Sequence, residues 1–111
     1  VHLPVKDQLC MKTEGLCYAS EKGLIDVVQT LLTGTVSVNE YNHQRKTPLY
    51  IATECGHINI MDLLLREGAI ADIGCYHTYY RNQYYYNEHK FPLHIAVEHG
   101  NTIAVQLLIE H

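Results

Sequence analysis

The 111-residue sequence has no apolar run approaching the roughly 20 residues that span a bilayer. It also lacks a secretory leader and any Asn-x-Ser/Thr acceptor for glycosylation. No membrane insertion is therefore expected, and the setting indicated is intracellular, cytoplasmic or nuclear. The four cysteines, Cys10, Cys17, Cys55 and Cys75, form no C-x-x-C pair and read as reduced thiols. Proline is scarce at 3 and glycine modest at 7, while apolar residues reach 47%, which excludes a disordered chain. Eight Lys and Arg against twelve Asp and Glu give a net charge of -4, without the basic cluster a nucleic-acid partner needs.

Sites for chemistry are equally hard to find. Eight histidines are present, but none stands four residues from another, the spacing that places two imidazoles on one helical face for zinc. His94 and His99 are five apart and diverge around a helix. Cys55 or Cys75 would need a base and an orienting group to act as a nucleophile, and nothing in the sequence places them there. No Gly-rich phosphate loop occurs. The chain is therefore expected to be no enzyme, with no catalytic residue, no metal and no cofactor.

What the chain does contain is a repeat. Leu16-Cys17-Tyr18-Ala19-Ser20-Glu21-Lys22-Gly23 matches Leu49-Tyr50-Ile51-Ala52-Thr53-Glu54-Cys55-Gly56, and both match Leu93-His94-Ile95-Ala96-Val97-Glu98-His99-Gly100. Leu16 to Leu49 is a step of 33 (49 − 16), whereas Leu49 to Leu93 is a step of 44 (93 − 49). The third unit is thus 11 residues late (44 − 33), which marks an insertion. Each octet is followed by a second apolar run, such as Ile58, Met61, Leu64 and Leu65, at helical spacing. Pro48 and Pro92 suit a first helical turn, where a missing N–H costs nothing. Thr47 is a natural N-cap, and Thr13 is expected to serve the first unit likewise. Gly23, Gly56 and Gly100 supply the positive φ that ends a helix. Each unit is expected to be helix, turn, helix, with Ala19, Ala52 and Ala96 where neighbouring helices approach. No single pair can bury its apolar face, so stacking makes the core.

A period of 33 carrying Thr47-Pro48-Leu49-Tyr50-Ile51-Ala52 and Phe91-Pro92-Leu93-His94-Ile95-Ala96 resembles the ankyrin-repeat family, whose signature is Thr-Pro-Leu-His-x-Ala. The second unit matches best. The first has Glu14-Gly15 in place of Thr-Pro, and the third has Phe91 in place of Thr. The resemblance implies an all-α solenoid of about three repeats with a Tyr-rich insertion before the third. The expected layout is a leading segment over 1–8, repeats over 9–41 and 42–73, the insertion over 74–85, and a truncated repeat over 86–111. Leu3, Pro4 and Val5 read as the tail of a preceding loop. Val1 in place of Met, and a third unit that stops at His111 without a polar cap, are what a stretch of a longer array would show. The chain is expected to be monomeric or stacked end to end through its terminal repeats.

In ankyrin arrays partners meet the concave surface. The resemblance places His43, Gln44 and Lys46 of the second unit there, with Asn87, Glu88 and Lys90 of the third if the insertion ends before Tyr86. From the first helices it adds Glu21 and Lys22, Glu54 and Cys55, and Glu98 and His99. Glu21, Glu54 and Glu98 would form a ladder of carboxylates suited to a basic segment of a partner, or else are helix formers on a solvated face. His57 and His94 are family-type positions, where a buried imidazole bonds the repeat backbone. Asn39, after Val38 and eight residues beyond Leu31, resembles the loop asparagine hydroxylated in many ankyrin proteins, or simply ties its turn.

The insertion is individual to this chain. Tyr76, Tyr79, Tyr80, Tyr84, Tyr85 and Tyr86 are six of its nine tyrosines. Tyr gives stiff amphipathic contact area, which suits a binding loop. The same rings are strong β-formers, so a hairpin finger turning near Arg81-Asn82-Gln83 is one reading, and rings folded back onto the stack are another. The function expected is protein recognition through the groove and this finger. The alternatives are a recognition or structural segment of a larger enzyme (a ubiquitin ligase or a kinase) and the cytoplasmic array of an ion channel.

Overall fold

The computed structural model of the chain describes residues 5–34 and 36–111, with side chains described from Met11 onward except His77. Leu3, Pro4 and His2 lie outside the described residues, and so does the side chain of Cys10, whereas Val5, expected in a loop tail, is the first residue of a helix. The elements run α1 (Val5–Lys22), α2 (Ile25–Leu32), α3 (Pro48–Cys55), α4 (Ile58–Arg66), β1 (Cys75–Arg81), β2 (Tyr84–Lys90), α5 (Pro92–Glu98) and α6 (Thr102–Glu110).

The second repeat shows how local chemistry sets the unit. Thr47 is extended (φ -85, ψ 159) and its side chain accepts from the Tyr50 N–H, while Pro48 opens the helix. Gly56 ends α3 in the left-handed region at φ 74, and the His57 N–H returns to the Ala52 carbonyl at 2.9 Å. α1 departs from this pattern. Thr13 was expected to cap it, but Thr13 sits inside an 18-residue helix and is only 6% exposed. The reason is Gly15, which occupies the proline slot. Pro48 and Pro92 hold the residue before them extended, whereas glycine leaves the helix free to continue backward.

α1, α3 and α5 pack in one layer, and α2, α4 and α6 in a second. Between them one apolar cluster runs through all three repeats, from Leu16 and Val28 through Leu49, Met61 and Leu64 to Ala104 and Leu108. Ala19, Ala52 and Ala96 are buried where inner helices meet their neighbours. Polar ties join successive turns. Asn39 donates through Nδ2 to the Gly68 carbonyl (3.2 Å) and accepts at Oδ1 from the Ile70 N–H (2.8 Å). His57 Nε2 lies 2.9 Å from the Glu21 carbonyl, and its ring sits so close to Gly23 that a Cβ there would meet it at 2.9 Å. His57 is half-buried, whereas His94, expected to be buried, is exposed. Phe91 has no side-chain acceptor for an N-cap, so the His94 ring turns back and its Nδ1 accepts the Phe91 N–H at 3.1 Å.

The all-α expectation holds for the repeats but not for the insertion, which is a two-stranded antiparallel sheet. Its register pairs Cys75 with Lys90, Tyr76 with His89, Tyr79 with Tyr86, Tyr80 with Tyr85 and Arg81 with Tyr84. Asn82 (φ 52) and Gln83 (φ 68) form the turn, and two successive positive φ values make it the primed type that suits strand twist. The hairpin is anchored at its base. Cys75 is fully buried with its sulfur 3.4 Å from the Thr47 nitrogen, Tyr41 donates from its hydroxyl to the Gly74 carbonyl at 2.6 Å, and Gly74 lies against the His89 ring. Farther out, neither strand is covered by a helix. At the last repeat Leu93, Val97, Ile103 and Ile109 are exposed, and Leu93 and Ile109 edge a hollow of about 610 Å³.

Candidate recognition surface

The inner helices of the first two repeats and the loop before α3 enclose a cleft of about 540 Å³. Its floor is Cys17 and Ile51, both buried, and its walls carry Glu14, Tyr18, Glu21, Glu54, Asn42, His43 and Gln44. The loop is built around Asn42. Its buried side chain accepts from the N–H groups of Gln44 (2.9 Å) and Lys46 (3.0 Å), while the Arg45 N–H returns to its carbonyl. Arg45 is thereby left-handed at φ 58. His43 is fixed by Glu14, which receives its backbone N–H at 2.6 Å and stands 2.7 Å from its ring.

Four expected groove residues, Glu21, His43, Gln44 and Glu54, thus come together. The sequence reading missed Glu14, Tyr18 and Ile51. Tyr18 and Ile51 were legible in principle, since they occupy one repeat position (51 − 18 = 33) on the cleft side of the inner helix. Tyr18 is 59% exposed with the Lys22 ammonium 5.7 Å above its ring. Cys55 and His99 are exposed at the ends of their helices, outside the cleft.

The carboxylate ladder is not a free row of charges. Lys46 Nζ stands 3.3 Å from Glu54, and at the equivalent place in the third repeat Lys90 Nζ stands 3.0 Å from Glu98 and 3.3 Å from Glu88. The hydrogen bond that Lys90 donates to Glu98 is the main reason its ammonium is held charged above its usual range. Among the described residues no cation pairs with Glu21, because its own repeat has Thr13 where the others have lysine.

Asn87, Glu88 and Lys90, expected beside a loop tip, lie along β2 instead, because the extra residues are shared between both strands. The rings pair across the ladder: Tyr79 stacks on Tyr86 (5.4 Å, 18°), Tyr80 meets Tyr85 (5.0 Å) and Tyr76 meets His89 (5.1 Å). Cross-strand aromatic pairs of this kind hold a sheet together. Tyr80, Tyr84 and Tyr85 nevertheless remain 62%, 67% and 77% exposed. Arg45 joins hairpin to groove, with its guanidinium 5.5 Å from the centre of the Tyr76 ring. A recess between them is lined by His43, Gln44, Lys46, Tyr76 and Thr78.

Burial pushes the Cys17 thiol up to about 12, and burial likewise raises Cys75. Neither sulfur is poised as a thiolate nucleophile. Among the described residues no three His, Cys, Asp or Glu side chains gather around a common point, and no helix is long and apolar enough to cross a membrane.

A family model for ankyrin repeats in three copies matches residues 16–111. The chain is 39% identical over 59 residues to an ankyrin repeat-containing protein of Saccharomyces cerevisiae, covering 53% of this chain and 12% of that protein. It is 33% identical over 101 residues to a putative ankyrin repeat protein of fowlpox virus, covering 86% of this chain and 26% of that protein. The chain thus spans about an eighth and a quarter of these relatives. Ankyrin repeats are generally non-catalytic modules of protein–protein interaction. The helix pairs, their glycine turns and the match over three consecutive repeats place this chain in the ankyrin-repeat family.

Proposed function

We propose that the chain recognises a segment of another protein along one surface, running from the cleft between the first two repeats to the Tyr-rich hairpin. The observation that carries this reading is the loop at His43 and Gln44, which lines the cleft on one side and the recess beneath Tyr76 on the other. A segment lying over that loop would touch Tyr18 and Glu21 at one end and the rings of Tyr76 and Tyr80 at the other. The hairpin strands reach roughly 23 Å at the usual rise per residue, long enough to add substantially to the contact area. Exposed Tyr rings beside the Arg45 guanidinium are the side-chain types that dominate binding energy at interfaces. The unpaired Glu21 would favour a Lys or Arg at that end of the bound segment.

Photo-crosslinking tests this directly. A photoreactive side chain at Gln44 and another at Tyr80 should trap the same protein from native extract. Tyr18→Ala combined with Glu21→Arg should cut the yield at Gln44 several-fold. Two unrelated partners at the two positions, or an unchanged yield in the variant, would contradict a single continuous surface.

A further inference from the structure

The hairpin has a backbone edge that nothing among the described residues uses. In a hairpin closed by two residues, Arg81 and Tyr84 exchange N–H and C=O groups, and so do Tyr79 with Tyr86 and His77 with Glu88. The intervening residues turn these groups outward: Tyr76, Thr78 and Tyr80 on β1, and Tyr85, Asn87 and His89 on β2. The Tyr76 N–H meets the Arg45 carbonyl at 3.4 Å, which agrees with this phase and covers the base of the β1 edge. Among the described residues no backbone group meets the outward groups of Tyr85, Asn87 or His89. A bare two-stranded sheet is marginal in water, and an open edge is a template for another strand.

We propose that a second copy of this chain fills that edge, β2 against β2, making a four-stranded antiparallel sheet about a two-fold axis at Asn87. The sequence of β2 is complementary to itself in this register. Asn87 falls opposite Asn87, and Tyr85 of one copy opposite His89 of the other, all with outward-facing backbone groups. Between them Tyr86 meets Glu88, a hydroxyl beside a carboxylate, and Tyr84 meets Lys90, a ring beside an ammonium. No like charges meet. Sliding one step toward the base sets Glu88 against Glu88, and sliding one step toward the tip shortens the overlap, so the charges themselves select the register. The surface is isologous, as a two-fold dimer requires. It leaves the β1 edge and the cleft beside His43 open, so it does not compete with partner recognition there.

Sedimentation equilibrium of the 111-residue chain from micromolar to millimolar concentration tests the proposal. The wild type should dimerise. Asn87→Lys and Asn87→Asp each place like charges across the axis and should weaken the dimer by roughly five-fold, whereas their equimolar mixture should recover wild-type strength. Gln29→Lys makes the same charge change on the exposed face of α2, away from the hairpin, and should leave the dimer unmoved. Asn87→Cys gives a second readout. Paired residues stand about 5.5 Å apart between Cα atoms, within disulfide reach, so mild oxidation should yield a peptide linked through residue 87. A monomer at every concentration overturns the proposal, leaving the edge to a strand of another protein. A dimer indifferent to charge at Asn87, with no 87–87 link, also overturns it and moves the contact elsewhere, such as the exposed apolar end of the third repeat.

Discussion

Tyr50 holds the slot where the family signature has histidine, and it is fully buried with a hydroxyl that meets no hydrogen-bond partner among the described residues. Burial is the main cause that raises its ionisation, so the ring stays neutral. A buried hydroxyl without a partner loses its solvation for nothing in return, at about 1–3 kcal/mol. Tyr50→Phe should therefore leave the fold intact and raise the urea midpoint, by about 1 kcal/mol after a small packing change. A lowered midpoint would show that the hydroxyl is bonded. Cys17 makes a prediction about pH. Its thiol ionises near 9.0 when unfolded and near about 12 when folded, chiefly through burial. The folded state therefore keeps a proton that the unfolded chain gives up. The stability this group contributes is present below pH 9.0 and is lost as pH rises toward about 12, at up to about 1.4 kcal/mol per pH unit. Buried Cys75 and Tyr50 act in the same direction, so Cys17→Ala should shallow this slope without abolishing it. An unchanged alkaline slope would contradict the buried thiol.

At the scale of the element, the hairpin turn carries a specific cost. Gln83 is left-handed at φ 68, a conformation that disfavours a side chain by about 1–2 kcal/mol, and primed turns favour Asn-Gly. Gln83→Gly should slow amide exchange along β1 and β2 by several-fold and leave the helices unaffected. Faster exchange in the strands would contradict the assigned turn. The turn was also the readable part of this element. Tyr clusters on either side of Arg81-Asn82-Gln83 indicate strands, and the chain does reverse at Asn82 and Gln83. The strand ends were not readable, since an 11-residue insertion measured between Leu49 and Leu93 does not say how its residues divide. Only pairing does, and it carries Asn87, Glu88 and Lys90 into β2. The repeat helices were legible from Pro48, Gly56 and their counterparts. The start of α1 was not, because cap chemistry at Thr13 competes with continuation of the helix, and Gly15 cannot stop it as proline would. Within the cleft, Glu21, Glu54, His43 and Gln44 followed from the family resemblance, carried onto the matching repeat positions. The neutralisation of Glu54 and Glu98 by Lys46 and Lys90 needed geometry, since these partners lie eight residues apart across a loop-to-helix turn.

For the whole molecule, two structural economies operate side by side. The helical stack draws its stability from one apolar cluster threaded through three repeats, each supported by its neighbours. The hairpin is held at its base by Cys75, Gly74 and Tyr41, while its outer rings remain exposed. On the proposed reading, recognition is therefore separable from folding at the outer rings. The most direct test replaces Tyr79, Tyr80, Tyr84 and Tyr85 together by Ser and follows thermal unfolding and capture of the partner trapped at Gln44 in the same preparation. The account predicts a cooperative helical transition within a few degrees of wild type and several-fold weaker capture. Undiminished capture, or loss of the cooperative transition, would contradict a finger built for recognition on an independently stable stack.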